Sequence, residues 1–168
     1  MMRPNASHRT AARAPIDSGS YDGHCVANAY NLYAKLAHAL DLEDLVEVLD
    51  CFSNAGEMYV SGKGVVSGRV DLERYLRQTA GNRPLHFFSN LYVHSAQGDT
   101  LSARTYLTLR LRGAGATCVI ADTSDELVFD TDTGCYRFRA LKIFFRWTSE
   151  DYLTLGRGGQ VEGRDALG

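Results

Sequence analysis

The sequence predicts an α+β domain in which three N-terminal helices cover one face of a strongly bent, mostly antiparallel sheet. Apolar residues recur at helical spacing in the first half of the chain, whereas the second half alternates apolar and polar residues as strands do. Turn sequences such as Gln97-Gly98-Asp99 separate the alternating segments, which indicates hairpins. Helices followed by a run of strands are typical of the α+β class, and a bent sheet beneath helices leaves a cone-shaped cavity.

The composition predicts one cytoplasmic domain. The chain of 168 residues can bury a substantial core, and its 18 basic and 20 acidic residues leave a net charge of −2, so no general attraction to nucleic acid or an anionic membrane is expected. No apolar run approaches the length of a membrane span or forms a secretory h-region, so we expect neither a membrane span nor a secretory signal. We expect a disordered tail over residues 1–20, a domain over 21–155 and a flexible tail over 156–168. The four cysteines have no metal-binding spacing, so we expect reduced thiols and no metal site.

Three helices are expected before the sheet. The first begins at about Asp22, and its predicted buried stripe consists of Val26, Ala29, Tyr30, Tyr33, Ala37 and Leu40. The second follows at once, with Asp41 as its N-cap and Asp44 completing an acidic capping box. A break at residues 53–56 and a short strand over 57–60 precede the third helix, expected over 70–78.

The strands begin after Pro84, which lacks an N–H group and suits the start of a strand. The first is expected over 86–96, and alternation places His86, Phe88, Asn90 and Tyr92 on one face, which suits a pocket wall. Further strands are expected over 100–112, 117–129 and 135–147. The last changes its alternation midway, which predicts a β-bulge near Ala140.

The order of these elements resembles the nuclear transport factor 2-like superfamily, also called cystatin-like, over residues 21–150. Two motifs resemble its scytalone dehydratase and SnoaL-like polyketide cyclase group. One is Ala39-Leu40-Asp41-Leu42-Glu43-Asp44-Leu45, and the other is His86-Phe87-Phe88-Ser89-Asn90. The resemblance implies the cone-shaped fold and a cofactor-independent acid–base site. It also implies a homodimer or higher homo-oligomer that forms through the outer sheet face.

The resemblance implies that Asp41 and His86 are catalytic. Scytalone dehydratases carry a second histidine where this chain has Thr105, which cannot act as an acid or base near neutral pH. Tyr59 lies within about a residue of that family's pocket tyrosine. Together with the aromatic and polar residues expected to face the cavity, the predicted substrate-binding set is Tyr33, Tyr59, Phe88, Asn90, Thr105, Phe145 and Trp147.

An Asp–His dyad has a defined chemistry. A carboxylate that accepts from one imidazole nitrogen fixes the tautomer and leaves the other nitrogen as a base. We therefore expect a dehydratase, cyclase or isomerase acting on a hydrophobic oxygenated molecule, such as a polyketide or terpenoid intermediate. Two alternatives stay open: a non-catalytic binding or scaffolding module, in which Asp41 is only a helix cap, and a small subunit of a larger oxygenase.

Overall fold

The computed structural model describes residues 23–79, 84–111 and 118–148, which form three helices and one seven-stranded sheet. The elements in chain order are α1 (Gly23–Leu42), α2 (Leu45–Asp50), β1 (Phe52–Val60), β2 (Gly64–Ser67), α3 (Arg69–Thr79), β3 (Leu85–Gln97), β4 (Thr100–Arg110), β5 (Cys118–Thr123), β6 (Asp125–Asp130) and β7 (Cys135–Thr148). The predicted α+β class is confirmed. The predicted tails, residues 1–20 and 156–168, lie outside the described residues.

The sheet is mostly antiparallel, as predicted. Its strand order is β2-β1-β7-β5-β4-β3, and β6 continues in line with β5, so that both strands lie between β4 and β7. Only the β1–β7 pairing, within this described sheet, is parallel. The hairpin between β3 and β4 turns at Gly98 and Asp99, as the sequence predicts.

Two predicted strand boundaries are wrong. The segment expected as one strand over 117–129 is divided at Ser124, whose N–H donates to the Lys142 carbonyl at 3.0 Å. The break predicted at residues 53–56 is instead part of β1, which bulges where Phe52 pairs with Phe138. Gly56 lies in that bulge, where a Cβ atom would stand 2.9 Å from the Phe138 carbonyl oxygen. The close approach of the two backbones therefore explains the glycine at position 56, which the local sequence pattern alone indicates as a break in the chain.

The predicted bulge near Ala140 is confirmed. Glu126 pairs with Ala140 and its neighbour Leu127 pairs with Phe138, so Arg139 is the extra residue in β7. The shift allows Phe138 before the bulge and Leu141 after it both to face the core.

The buried stripe of α1 differs from the predicted one. The helix buries Ala29, Leu32, Tyr33, Leu36 and Ala39, whereas Val26 and Tyr30 are exposed. Ala29 and Tyr33 belong to both stripes, and the helix turns its larger aliphatic side chains, Leu32 and Leu36, toward the sheet. The free energy gained by burying the apolar surface of Leu32 and Leu36 outweighs that of burying Val26 and Tyr30.

The predicted cap of α2 is also wrong. Helix α1 continues through Leu42, so Asp41 lies within its last turn. Glu43 then adopts a positive φ of 58°, and Asp44 is the N-cap of α2, where its carboxylate accepts from the Glu47 N–H at 3.1 Å. Asp41 therefore has no capping role that would explain its presence.

The outer face of the sheet carries exposed aromatic side chains. Cross-strand pairing places Phe87, Tyr106, Ile120 and Trp147 on this face, and Tyr106 and Trp147 are 51% and 50% exposed. The four cysteines Cys25, Cys51, Cys118 and Cys135 are free. None of the three described helices is long and apolar enough to cross a bilayer.

We propose, as the resemblance implies, that a second copy of the chain covers the outer face. Tyr106→Glu should then lower the molar mass measured by light scattering from that of a dimer to that of a monomer, because it places a charge in an apolar interface. Val70→Glu, at an exposed apolar position on α3, is the matched control and should leave the mass unchanged. A wild-type protein that is monomeric at high micromolar concentration would contradict this proposal.

Candidate active site

Asp41 and His86 are in direct contact. One carboxylate oxygen, Oδ1 of Asp41, lies 2.8 Å from Nδ1 of the His86 ring and accepts from the His86 main-chain N–H at 2.9 Å. Because a carboxylate only accepts hydrogen bonds, Nδ1 carries a hydrogen in this arrangement. Asp41 therefore fixes both the backbone and the ring of His86.

The contact joins the last turn of α1 to the first residues of β3. The two residues are 45 positions apart in sequence, so their contact depends on the packing of the helix against the sheet. The side chains of His86 and Asp41 are 14% and 22% exposed. Within the described part of the chain, the hydrogen bond to Asp41 through Nδ1 is the only one that the His86 ring makes.

His86 lines a large apolar cavity of about 440 Å³. Its volume falls in the range of small-molecule sites. Helices and strands both contribute aliphatic walls, which include Leu36, Val48, Met58, Leu107, Leu141 and Ile143. Glu43, Arg77, Thr79 and Phe145 are the more exposed lining residues and mark its mouth.

A second, small cavity of about 260 Å³ lies on the other side of His86. Its lining is more polar and includes Tyr30, Tyr33, His38, Asp41, Ser89 and Thr105. His86 and Phe88 line both cavities, whereas Asp41 lines only the small one. Nδ1 is turned toward Asp41, a residue of the small cavity.

A buried polar network borders the small cavity. The Asp125 carboxylate is 4% exposed and accepts from the Tyr33 hydroxyl at 2.6 Å, the Lys142 main-chain N–H at 3.1 Å and the Thr123 hydroxyl. The Thr123 hydroxyl oxygen lies 3.0 Å from the Thr105 hydroxyl oxygen. Burial raises the pKa of Asp125 to about 6, and its hydrogen bonds to Thr123 and Tyr33 oppose that shift.

Four of the predicted substrate-binding residues line a cavity. Phe88 lines both cavities, Phe145 lines the large one, and Tyr33 and Thr105 line the small one. The Tyr33 ring also packs against Phe88, with their centroids 5.2 Å apart.

Three predicted substrate-binding residues lie elsewhere. Asn90 is the extra residue of a bulge in β3, where it has a positive φ of 54°, so Leu91 rather than Asn90 follows Phe88 on the inner face. Tyr59 packs against Phe144, with ring centroids 5.4 Å apart, and lines neither cavity. Trp147 lies on the outer face, because the extra residue Arg146 changes the alternation of β7.

Sequence reasoning missed Asp125 and Thr123. Both have the same parity as Ala121 and Leu127, which are buried, and this alternation was the available signal. A carboxyl and a hydroxyl on an otherwise apolar strand face indicate a buried polar network. Glu43 and Arg77, at the mouth of the large cavity, were also missed. Among the described residues, no group of three or more His, Cys, Asp and Glu side chains is arranged to hold a metal ion.

The raised pKa of Asp125 predicts a pH-dependent stability. Because the folded protein holds this proton more tightly than the unfolded chain, whose carboxyl pKa is about 3.9, the stabilising contribution is full below about pH 4 and is lost as the pH rises through about 6. Asp125→Asn removes this titration. The free energy of unfolding of the wild type, relative to the variant, should fall by on the order of 1–3 kcal/mol between about pH 4 and pH 7 in urea titrations. Parallel profiles for the two proteins would contradict the assignment.

Known structures share this fold. Aln2 from a Streptomyces species aligns with a TM-score of 0.66 and 23% identity, covering 81% of this chain and 98% of its own. A proposed scytalone dehydratase from Novosphingobium aromaticivorans aligns with a TM-score of 0.67 and 13% identity, covering 74% of this chain and 86% of its own. A hexachlorocyclohexane dehydrochlorinase aligns with a TM-score of 0.64 and 14% identity, covering 74% of this chain and 87% of its own.

At these identities the structures establish the fold alone. Among proteins with curated descriptions, none matches the chain at significant similarity. The model of the SnoaL-like domain matches residues 26–142, a span that includes Asp41, His86 and Asp125. This protein therefore belongs to the SnoaL-like domain family.

Proposed function

We propose that this protein is a cofactor-independent acid–base enzyme that dehydrates, cyclises or isomerises a hydrophobic, oxygenated small molecule. The observation that carries the proposal is the contact between Asp41 Oδ1 and His86 Nδ1 at 2.8 Å, at a ring that lines two cavities. Asp41 is not the N-cap of α2, since Asp44 holds that position.

The dyad would act through Nε2 of His86. With Nδ1–H held by Asp41, Nε2 carries the lone pair and can remove a proton from a carbon next to a carbonyl, or from a hydroxyl group. The imidazolium that forms is stabilised by the adjacent carboxylate. The same ring can return the proton to a departing oxygen in an elimination, or to another carbon in an isomerisation, so no proton is lost overall.

The two cavities indicate what kind of molecule would bind. The large cavity has aliphatic walls, and about 440 Å³ accommodates a molecule of one to three fused rings. The oxygen-bearing end of the molecule would lie at His86, beside the hydroxyl and carboxylate groups of the small cavity. Polyketide and terpenoid intermediates combine an apolar body with such an oxygenated end.

Two structural neighbours support the elimination within this set of reactions. By their names, a dehydratase removes water and a dehydrochlorinase removes hydrogen chloride. Both reactions require a base that takes a proton from carbon while a neighbouring group departs. A base held as His86 is held would serve that step.

The proposal can be tested without knowledge of the natural substrate. An enzyme that removes a proton next to a carbonyl exchanges it with solvent, so 2-tetralone in deuterium oxide should lose its α-proton signals faster with the wild-type protein. His86→Ala should abolish the enzymatic part of this exchange. Asp41→Asn keeps the side-chain shape but loses the charge and the control of the tautomer, so we expect a loss of about 10²–10⁴-fold in rate.

The matched control is His94→Ala, because His94 lies on the same strand beyond the bulge and lines neither cavity. It should exchange at the wild-type rate, and all variants should melt within a few degrees of the wild type. The double variant should be no slower than His86→Ala, since the two residues act as one unit. A non-catalytic binding module or an oxygenase subunit would bind 2-tetralone without exchange, and Asp41→Asn at full rate would exclude the dyad.

A further inference from the structure

A chain of three hydrogen-bonding groups runs from the core to the small cavity. The Asp125 carboxylate contacts the Thr123 hydroxyl, whose oxygen lies 3.0 Å from the Thr105 hydroxyl oxygen, and Thr105 lines the small cavity beside Asp41 and His86. All three residues are buried, with Asp125, Thr123 and Thr105 at 4%, 1% and 4% exposure. We call this chain the hydroxyl relay.

The direction of the hydroxyl relay is fixed when Asp125 is ionised. A carboxylate only accepts, so the Thr123 hydroxyl donates its single hydrogen to Asp125. The Thr123 oxygen then accepts from the Thr105 main-chain N–H at 3.2 Å and from the Thr105 hydroxyl. The Thr105 hydrogen therefore points into the core, and its oxygen presents a lone pair to the cavity.

Protonation of Asp125 permits the opposite direction. A protonated Oδ2 can donate to the Thr123 oxygen, which still accepts from the Thr105 main-chain N–H and is then left with its own hydrogen to donate. That hydrogen goes to the Thr105 oxygen, and the Thr105 hydrogen is released toward the cavity. The heavy atoms do not need to move, and only hydroxyl rotations are required.

We infer that Asp125 determines, through Thr123 and Thr105, whether the small cavity offers its ligand a hydrogen-bond acceptor or a hydrogen-bond donor. Thr105 is thus a specificity residue for the ligand, and Asp125 and Thr123 are positioning residues that act through it. The inference rests on the proposed function only in that the small cavity belongs to the ligand site. It does not require that Asp41 and His86 catalyse a reaction.

The surroundings of Asp125 allow both states near neutral pH. Burial raises the pKa of Asp125 to about 6. The titratable groups that face it in the described part of the chain are the Tyr33 hydroxyl from α1 and the Lys142 amine from β7, which lowers its pKa. Burial and the neighbouring carboxylate hold the pKa of Tyr33 far above its usual range, so Tyr33 stays protonated throughout. The other neighbours in the relay, Thr105 from β4 and Thr123 from β5, do not titrate.

This arrangement assigns a ligand class to each state. Below the pKa of Asp125 the small cavity favours a group that only accepts, such as a ketone or ether oxygen. Above it, the cavity favours a group that donates, such as a phenol or an alcohol. One site can therefore prefer the carbonyl or the hydroxyl form of a related pair of molecules, and the choice depends on one proton in the core.

Equilibrium binding of two probes tests the inference. Cyclohexanone only accepts hydrogen bonds, phenol donates one, and neither titrates between about pH 5 and pH 7.5. Their dissociation constants are measured by NMR titration at both ends of this range. Since one hydrogen bond contributes about 0.5–1.5 kcal/mol net, the ratio of the two constants should shift roughly tenfold toward phenol as the pH rises.

Three variants locate the cause of the shift. Asp125→Asn and Thr123→Val should give a ratio that does not change with pH, the second because it interrupts the relay while Asp125 remains. Thr108→Val is the matched control, since Thr108 lies on the same strand as Thr105 but on the outer face, and it should behave as the wild type. His86 is unchanged in every protein compared, so its contribution to probe binding is common to all of them.

The carbonyl stretch of the protonated Asp125 carboxyl group gives an independent readout by infrared spectroscopy. It should weaken as the pH rises through about 6 in the wild type. It should persist in Thr123→Val at low pH and be absent from Asp125→Asn. A Thr123→Val protein whose ratio follows the wild type overturns the inference. So does a wild type that lacks the titrating band, or one that binds neither probe. If the wild-type protein does not accelerate the exchange of 2-tetralone but the ratio of the two dissociation constants shifts with pH as expected, only the proposed function is overturned.

Discussion

A buried carboxyl group constrains the interior of this protein. Asp125 is 4% exposed, and a carboxylate in the core costs several kcal/mol unless it is hydrogen-bonded. Its partners come from separate elements: a tyrosine hydroxyl on α1, a threonine hydroxyl on β5 and a main-chain N–H on β7. These elements must therefore meet at one point, and the position of α1 over the sheet follows from that requirement.

The position of α1 in turn determines the geometry of the candidate dyad. Asp41 follows Tyr33 by eight residues, about two helical turns, so the contact of Tyr33 with Asp125 fixes where the end of α1 lies. There, one oxygen of Asp41 accepts from both the backbone and the ring of His86. A shift of the helix along the sheet would disturb both bonds at once, which links the packing of the core to the tautomer of the histidine.

The structural features that depend on local sequence pattern were predicted correctly, whereas features that depend on the pairing between strands were missed. The three helices, the hairpin at Gly98 and the bulge near Ala140 each produce a signal in consecutive residues. The bulge at Asn90 does not, because an extra residue in a strand is defined by its register with the partner strand, here β4. For the same reason the positions of Asn90 and Trp147 were predicted wrongly, whereas the motif residues Asp41 and His86 do meet.

The bulge at Asn90 also bears on how such a site can change over evolutionary time. The two halves of β3 are out of phase, with His86 and Phe88 facing inward before the bulge and Leu91 and Val93 after it. Loss of a single residue there would turn the second half of the strand over and exchange its inner side chains for its outer ones, while His86 kept its place. A change of one residue in strand length could therefore give this scaffold a different inner wall around the same histidine.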